Sequence, residues 1–136
     1  MLTDNQKSQI SILVSPLPVE IVYLFGSQST GNAHPKSDYD FGVLFTPDTD
    51  SVTRFNLVTK LTTDLSDILH QKTDVIDLDL SPIRFKYESI KPRQDIFVRR
   101  PGIRDDFEYR ILRDYYDEMY FIKQATHDYL RTLAHG

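Results

Sequence analysis

Short apolar runs bounded by turn residues alternate along the chain with segments of helical periodicity. β-Branched and aromatic residues concentrate in Glu20–Phe25, Tyr39–Phe45 and Thr73–Leu80, a composition typical of buried strands. A shorter run, Asp95–Arg99, predicts a fourth strand. Between the strands, apolar residues recur every three or four positions, which indicates helices. We therefore expect an α+β fold, with a small mixed sheet of about four to five strands flanked by helices.

The helices have recognisable starts and packing stripes. The first follows Thr3, a capping residue, and another begins at Ser81-Pro82, where proline suits the first turn. The helix between the second and third strands has a packing stripe formed by Phe55, Val58, Leu61, Leu65, Ile68 and Leu69. The helix after Pro82 would pack through Ile83, Phe85, Tyr87 and Ile90. Pro101-Gly102 predicts a break, followed by a long C-terminal helix from Asp105 to about Leu133.

Composition narrows the class of protein. A chain of 136 residues, of which 40% are hydrophobic and 26% charged, is most simply a single domain spanning residues 1–136. A net charge of -4 gives no general attraction for nucleic acid or anionic membranes. No cysteine is present, which excludes disulfides and thiolate zinc sites, and no apolar run is long enough to span a membrane. We expect a cytoplasmic protein that does not bind nucleic acid directly.

Two aspartates lead the second strand. Asp38 and Asp40 are two positions apart, so on a strand their carboxylates project to the same face. The two carboxylates repel each other unless a cation offsets their charge, and paired carboxylates suit Mg²⁺ or Mn²⁺. Solvated acids at an exposed strand start are the alternative.

A glycine-serine turn, Gly26-Ser27, ends the preceding strand ten residues before Asp38. Glycine lets backbone amides approach a ligand closely, and a serine hydroxyl adds a donor for phosphate oxygens. A phosphate-binding turn one strand away from a two-carboxylate metal site is what nucleotidyl transfer requires.

The spacing Gly26-Ser27, ten residues, Asp38-Tyr39-Asp40 resembles the G-S-x10-D-x-D signature of the DNA polymerase β-like nucleotidyltransferases. Gly31, Ser37 and the segment Thr73–Leu78 are similar to the minimal nucleotidyltransferases (MNT), whose active antitoxins pair with HEPN-domain toxins. The resemblance covers most of the chain. It implies a polymerase β-like core, ATP as substrate, and a two-metal Mg²⁺ site in which Mn²⁺ could substitute.

The resemblance also implies a third acid on a neighbouring strand, for which Asp74, Asp77 and Asp79 are candidates. If residues 73–80 form one strand, Asp74 shares a face with Ile76 and Leu78, and an acid among apolar neighbours needs a partner such as a metal. The family pattern also favours Asp74. Asp77 remains the alternative.

By resemblance, Asp38, Asp40 and Asp74 would be catalytic and metal-binding, and Gly26 and Ser27 would bind the triphosphate. The implied function is an antitoxin that transfers AMP from ATP to a hydroxyl, in particular a tyrosine, of a cognate HEPN ribonuclease toxin. Two alternatives stay open: an antitoxin that neutralises its toxin by binding alone, and nucleotidyl transfer to a small molecule. Relatives that modify small molecules generally have a second domain.

The long C-terminal helix carries more apolar surface than a small sheet covers. Its stripe comprises Phe107, Ile111, Tyr115, Met119 and Ile122, and is widened by Leu112, Tyr116, Tyr120, Leu130 and Leu133. A helix of this length spans about 40 Å at 1.5 Å per residue. Tyrosine-rich helix surface is common at interfaces, and either a HEPN toxin or a second copy of this chain would fit it. An ordinary packed helix is the alternative.

Overall fold

The computed structural model describes residues 2–25, 39–90 and 93–135. Within these ranges the elements are α1 (Asp4–Val14), β1 (Val19–Phe25), β2 (Tyr39–Phe45), α2 (Ser51–Leu69), β3 (Thr73–Asp77), α3 (Ile83–Ser89), β4 (Arg93–Val98) and α4 (Pro101–His135). The strands form one sheet in the order β3-β2-β1-β4. β1 is antiparallel to β2 and to β4, whereas β2 and β3 are parallel. The predicted α+β fold, a small mixed sheet flanked by helices with a long C-terminal helix, is confirmed.

The sheet lies between two pairs of helices. One face packs against α1 and α2, with a core formed by Leu2, Ile10, Val14, Val19, Val22, Leu24, Tyr39, Phe41, Val43, Phe45, Leu61, Leu65 and Leu69. The other face packs against α3 and α4 through Ile21, Tyr23, Leu44, Leu78, Phe107 and Ile111. β2 is central, and Asp40 is its one residue that is not buried. In the described ranges, no helix combines the length and the apolarity that crossing a membrane requires.

The helices begin where side chains satisfy their first backbone amides. At α1 the Thr3 hydroxyl accepts from the Gln6 amide at 3.1 Å, and the Gln6 side chain accepts from the Thr3 amide at 2.9 Å. This reciprocal arrangement is a capping box. At α2 the Asp50 carboxylate accepts from the Thr53 amide at 2.7 Å. These caps account for the observed starts of both helices.

The predicted strand Thr73–Leu80 is wrong in its second half, because β3 ends at Asp77 and Leu78–Leu80 form a 3₁₀ turn. The Asp77 carboxylate accepts from the Asp79 amide at 3.1 Å, and the Ser81 hydroxyl donates to the Asp77 carbonyl at 3.0 Å. This local capping draws the backbone out of the ladder. Strand alternation therefore does not extend to Leu78, which is buried against α3 and α4.

One predicted packing residue faces solvent, and one predicted break is absent. Phe55 is 72% exposed and lies outside the core, whereas Phe85 is 36% exposed and packs edge-to-face against Phe25. The long helix begins at Pro101 rather than Asp105. Proline is compatible with a first turn, where its missing amide would have no intrahelical partner. Pro101-Gly102 is therefore the helix start.

The first third of α4 is anchored to the sheet by a partly buried polar cluster. The Tyr23 hydroxyl donates to Glu108 Oε1 at 3.3 Å, and Arg93 forms an ion pair with the same carboxylate. The Arg93 guanidinium lies 5.0 Å from the centroid of the Tyr23 ring. Burial, followed by the negative charge of Glu108, raises the pKa of Tyr23 well above its ordinary value, so the hydroxyl stays protonated as a donor. Phe107 and Ile111 bury the adjoining apolar surface.

Gly42 supplies the space into which two side chains pack. A Cβ at this position would lie 2.8 Å from Phe25 Cε1 and 2.8 Å from Leu78 Cδ2, closer than carbon atoms pack. At Gly102, in the first turn of α4, a Cβ would meet nothing within 4 Å. The same substitution therefore has opposite consequences at the two glycines.

We expect Gly42→Ala to lower the free energy of unfolding by about 1–3 kcal/mol, because overpacking displaces both neighbours. Gly102→Ala is the matched control, and should be neutral or stabilise by less than about 1 kcal/mol because alanine is the better helix former. Urea denaturation of both variants measures the difference. Equal effects at the two sites would contradict the close packing around Gly42.

Candidate active site

The pairing of β2 with β3 places two candidate carboxylates side by side. Asp40 is the in-register partner of Asp74 in the parallel ladder. Directly paired residues on neighbouring strands, about 4.8 Å apart, project to the same face of the sheet. Asp40 is half-buried and Asp74 is exposed. The structure therefore brings together two of the three predicted acids at one edge of the sheet.

An aromatic residue flanks this pair on the other side of β2. Phe25, the last residue of β1, is the in-register partner of Asp40. The next position along the row is Arg93 of β4, which pairs with Phe25. Phe25, Asp40 and Asp74 thus share the face that α3 and α4 partly cover. The carboxylates lie between an apolar wall and solvent.

The fallback acid, Asp77, is engaged on the opposite face. Arg54 of α2 donates to both of its carboxylate oxygens, Nε to Oδ2 and Nη2 to Oδ1, each at 2.8 Å. The same guanidinium donates to Asp79 Oδ2 at 3.2 Å. The side chains of Arg54 and Asp77 are only 12% and 8% exposed. A paired carboxylate on the far side of the sheet from Asp40 cannot share a ligand with it, so Asp77 is a structural residue.

Gly26, Ser27 and Asp38 lie outside the described residues. Their predicted roles in binding the triphosphate and the metal therefore stay predictions. What the structure describes is the flanking framework: β1 ends at Phe25, directly before Gly26, and β2 begins at Tyr39, directly after Asp38.

The donor set fits a hard divalent cation. Carboxylate oxygens are the ligands that Mg²⁺ prefers, and a cation offsets the repulsion between neighbouring carboxylates. Asp74 makes no ion pair or side-chain hydrogen bond with any residue that the structure describes, so its oxygens are available to a ligand. Asp40 and Asp74 supply two potential metal ligands. The described ranges contain no cluster of three or more such ligands.

Sequence reasoning missed two contributors to this site. Arg54 has no role in the sequence-based prediction. Its bidentate pair with Asp77 holds that acid on the face of β3 opposite Asp74. Gly42 was read only as part of an apolar strand, although its missing side chain admits the Phe25 ring beside Asp40. No local pattern marks either residue, because both act through contacts distant in sequence.

Comparison with known proteins assigns the family. The family model for the polymerase beta nucleotidyltransferases matches residues 7–101, more than half of the chain. The chain belongs to this family. The match includes β1, β2 and β3 and therefore both described acids, Asp40 and Asp74.

Individual relatives point in the same direction. Protein adenylyltransferase MntA of Shewanella oneidensis strain MR-1 is 37% identical over 75 residues, which are 54% of this chain and 51% of MntA. The chain thus spans about half the length of the curated relative it matches. Among solved structures, a toxin-antitoxin with AMP-PNP is similar with a TM-score of 0.69 and 23% identity, over 90% of this chain and 95% of that one.

A second solved structure is a tri-AMPylated Shewanella oneidensis HEPN toxin in complex with MNT antitoxin. It has a TM-score of 0.65 and 20% identity, over 93% of this chain and 97% of the matched chain. At these identities the structures support the fold, which is the polymerase β-like nucleotidyltransferase fold.

The two faces of β3 predict different outcomes for its acids. Asp77→Asn should lower the free energy of unfolding by about 2–4 kcal/mol, because it removes the bidentate charged partner of the largely buried Arg54 and leaves only the longer contact to Asp79. Asp74→Asn should change it by less than about 0.5 kcal/mol, since an exposed acid with no protein partner contributes little. Urea unfolding curves compare the pair. A large loss in Asp74→Asn would mean that Asp74 is structural.

Proposed function

We propose that this protein is a Mg²⁺-dependent antitoxin that transfers AMP from ATP to a tyrosine hydroxyl of a cognate HEPN ribonuclease toxin and thereby neutralises it. The observation that carries the proposal is the in-register pairing of Asp40 with Asp74 on an accessible face. Neighbouring carboxylates repel each other, and a bound cation offsets that repulsion.

Each residue then has a chemical role. Asp38, Asp40 and Asp74 would hold the metal ions, and the backbone and hydroxyl of Gly26-Ser27 would bind the triphosphate. Bound Mg²⁺ would supply positive charge to the phosphates. In the transfer, the acceptor oxygen bonds to the α-phosphorus as the bond to the β-phosphate oxygen breaks, and pyrophosphate leaves. Asp74 lies beside Asp40 and helps to remove the proton of the acceptor hydroxyl.

The relatives support the choice of donor and acceptor. MntA is a protein adenylyltransferase, and one similar structure contains an AMPylated HEPN toxin with an MNT antitoxin. Another was solved with AMP-PNP, an analogue of ATP. In the present chain, the in-register pair Asp40 and Asp74 agrees with such chemistry.

Incubation of the purified chain with ATP, Mg²⁺ and the HEPN protein encoded beside it should add AMP to the toxin, detected by intact mass and localised to tyrosine by peptide mass spectrometry. Asp38→Ala, Asp40→Ala and Asp74→Ala should each reduce the rate at least 100-fold, since each removes a metal ligand. Chelation of Mg²⁺ should do the same.

Asp79→Asn is the matched control for these variants, because Asp79 lies five residues from Asp74 and contacts Arg54 on the opposite face. It should retain the activity within about threefold. If the acid variants still neutralise the toxin and no AMP is added, the protein neutralises by binding alone. Transfer to a small molecule, with the toxin unmodified, would contradict the protein acceptor.

We propose that the toxin binds along the uncovered part of α4. Apolar residues on this surface, Leu112, Met119, Ile122, Tyr129 and Leu133, are three, four or seven residues apart, and the intervening position 126 is threonine. Such a 3.5-residue period is typical of helices that pack lengthwise against another helix. Tyr129 is 64% exposed and Leu133 is 60% exposed, so the described chain leaves this end of the surface uncovered.

Replacing Ile122 and Leu133 together by aspartate should weaken binding of the HEPN protein at least tenfold, measured by isothermal titration calorimetry. The fold should be unaffected, because the two side chains are 47% and 60% exposed. Gln124→Asp, a single added charge on the same exposed stretch, is the control and should bind normally. Unchanged affinity in the double variant would contradict docking on α4. Light scattering of the chain alone shows whether a second copy occupies the surface instead.

A further inference from the structure

Phe85 is an exposed aromatic ring next to the candidate active site. It lies in α3, on the side of the sheet that bears Asp40 and Asp74, and keeps 36% of its surface exposed. Its neighbours Ile83, Tyr87 and Ile90 pack onto the core, whereas Phe85 packs at the margin of the core, against Phe25. The part of a phenylalanine that stays exposed at the edge of a site is available to a ligand.

The ring of Phe85 is positioned by Phe25. The two centroids are 5.8 Å apart, and the ring planes meet at 77°. In an edge-to-face contact a ring uses either its edge or one of its faces, so at least one face of Phe85 is not covered by Phe25. With 36% of its surface exposed, Phe85 is partly open to solvent.

Phe25 itself is held in place by the backbone of β2. A Cβ at Gly42 would lie 2.8 Å from Phe25 Cε1, so the absence of a side chain there allows the ring to lie against β2. Gly42 is two positions after Asp40 and on the same face. The carboxylate, the Phe25 ring and the Phe85 ring therefore form a continuous path from the sheet edge to α3.

We propose that Phe85 is the stacking platform for the base of the nucleoside triphosphate whose phosphates bind at Asp40 and Asp74. The inference rests on the proposed nucleotidyl transfer and specifies how that site recognises its donor. One strand spacing, about 5 Å, separates Asp40 from Phe25, and 5.8 Å separates the two rings. The platform is thus connected to Asp40 through a single intervening side chain, that of Phe25.

A stacking platform predicts a particular selectivity. Stacking depends on the area of the base and not on its hydrogen-bonding edge, so purine triphosphates should bind more tightly than pyrimidine triphosphates. The preference should fall in Phe85→Ala. A residue that only supports the fold would change affinity for all ligands alike.

Isothermal titration calorimetry with two probes isolates the platform. Mg²⁺ with AMP-PNP reports phosphates and base together, whereas Mg²⁺ with inorganic tripolyphosphate reports phosphates alone. Phe85→Ala should weaken AMP-PNP binding roughly 5- to 100-fold and leave tripolyphosphate within about twofold. Asp40→Asn should weaken both probes. Phe55→Ala, which removes a 72% exposed ring from α2 on the other face, should change neither.

The chain contains no tryptophan, so Phe85→Trp introduces a single fluorescent reporter at the platform. Its emission should be quenched by AMP-PNP with Mg²⁺ and unchanged by tripolyphosphate with Mg²⁺, and its affinity for AMP-PNP should be at least that of the unmodified chain. Thermal unfolding of each variant verifies the fold, which the exposure of Phe85 should preserve.

The outcomes separate the two proposals. If Asp40→Asn weakens binding of both probes while Phe85→Ala weakens binding of neither, the platform is wrong and the nucleotide site stands. The same conclusion follows if AMP-PNP and tripolyphosphate quench the emission of Phe85→Trp equally. If neither probe binds the unmodified chain, or Asp40→Asn has no effect, the proposed function fails and the platform with it.

Discussion

The register of β2 between its two neighbours is the constraint on which the candidate site depends. Phe25, Asp40 and Asp74 lie in one row because β2 pairs antiparallel with β1 and parallel with β3. A slip of one residue would turn Asp40 toward the core under α1 and α2 and bring Phe41 to the site. Burial of Phe41 and Val43 on that face opposes the slip, because both would be exposed and a carboxylate would be buried. Hydrophobic packing on one face thus maintains the geometry of the candidate site on the other.

The acids on the two faces of β3 have different roles. Asp74 meets Asp40 on the accessible face, whereas Asp77 completes a bidentate ion pair with Arg54 under α2. The ion pair links α2 to the end of β3, just where the chain leaves the sheet for the 3₁₀ turn. Because the register of β3 against β2 sets the distance between Asp40 and Asp74, a structural ion pair on the far face helps to maintain the site. Asp77, which lies outside the candidate site, therefore still helps to maintain it.

Much of the fold could be predicted from local pattern, and the missed parts share a physical cause. Tyr39–Phe45 was predicted with the observed bounds, since a buried central strand is apolar at nearly every position. The end of β3 was missed because a side-chain cap at Asp77 competes with the ladder, and hydropathy does not register that competition. Phe55 falls in a predicted packing stripe because periodicity identifies an apolar position without showing whether a partner covers it. The choice between Asp74 and Asp77 depended on Arg54, which is 20 or more residues away along the chain.

The long C-terminal helix has one part that is anchored to the sheet and one part that the described chain leaves uncovered. Its first third is fixed to β1 and β4 through Glu108, Phe107 and Ile111, next to the row that contains Phe25. Its remainder, beyond Tyr116, buries none of its residues against the described chain. An isolated helix of about 20 residues is only marginally stable in water, and an apolar stripe gains stability chiefly when another surface covers it. A partner that covers this stripe would stabilise the helix, whose first third packs beside the candidate site. The same helix would then bind the partner and position the acceptor.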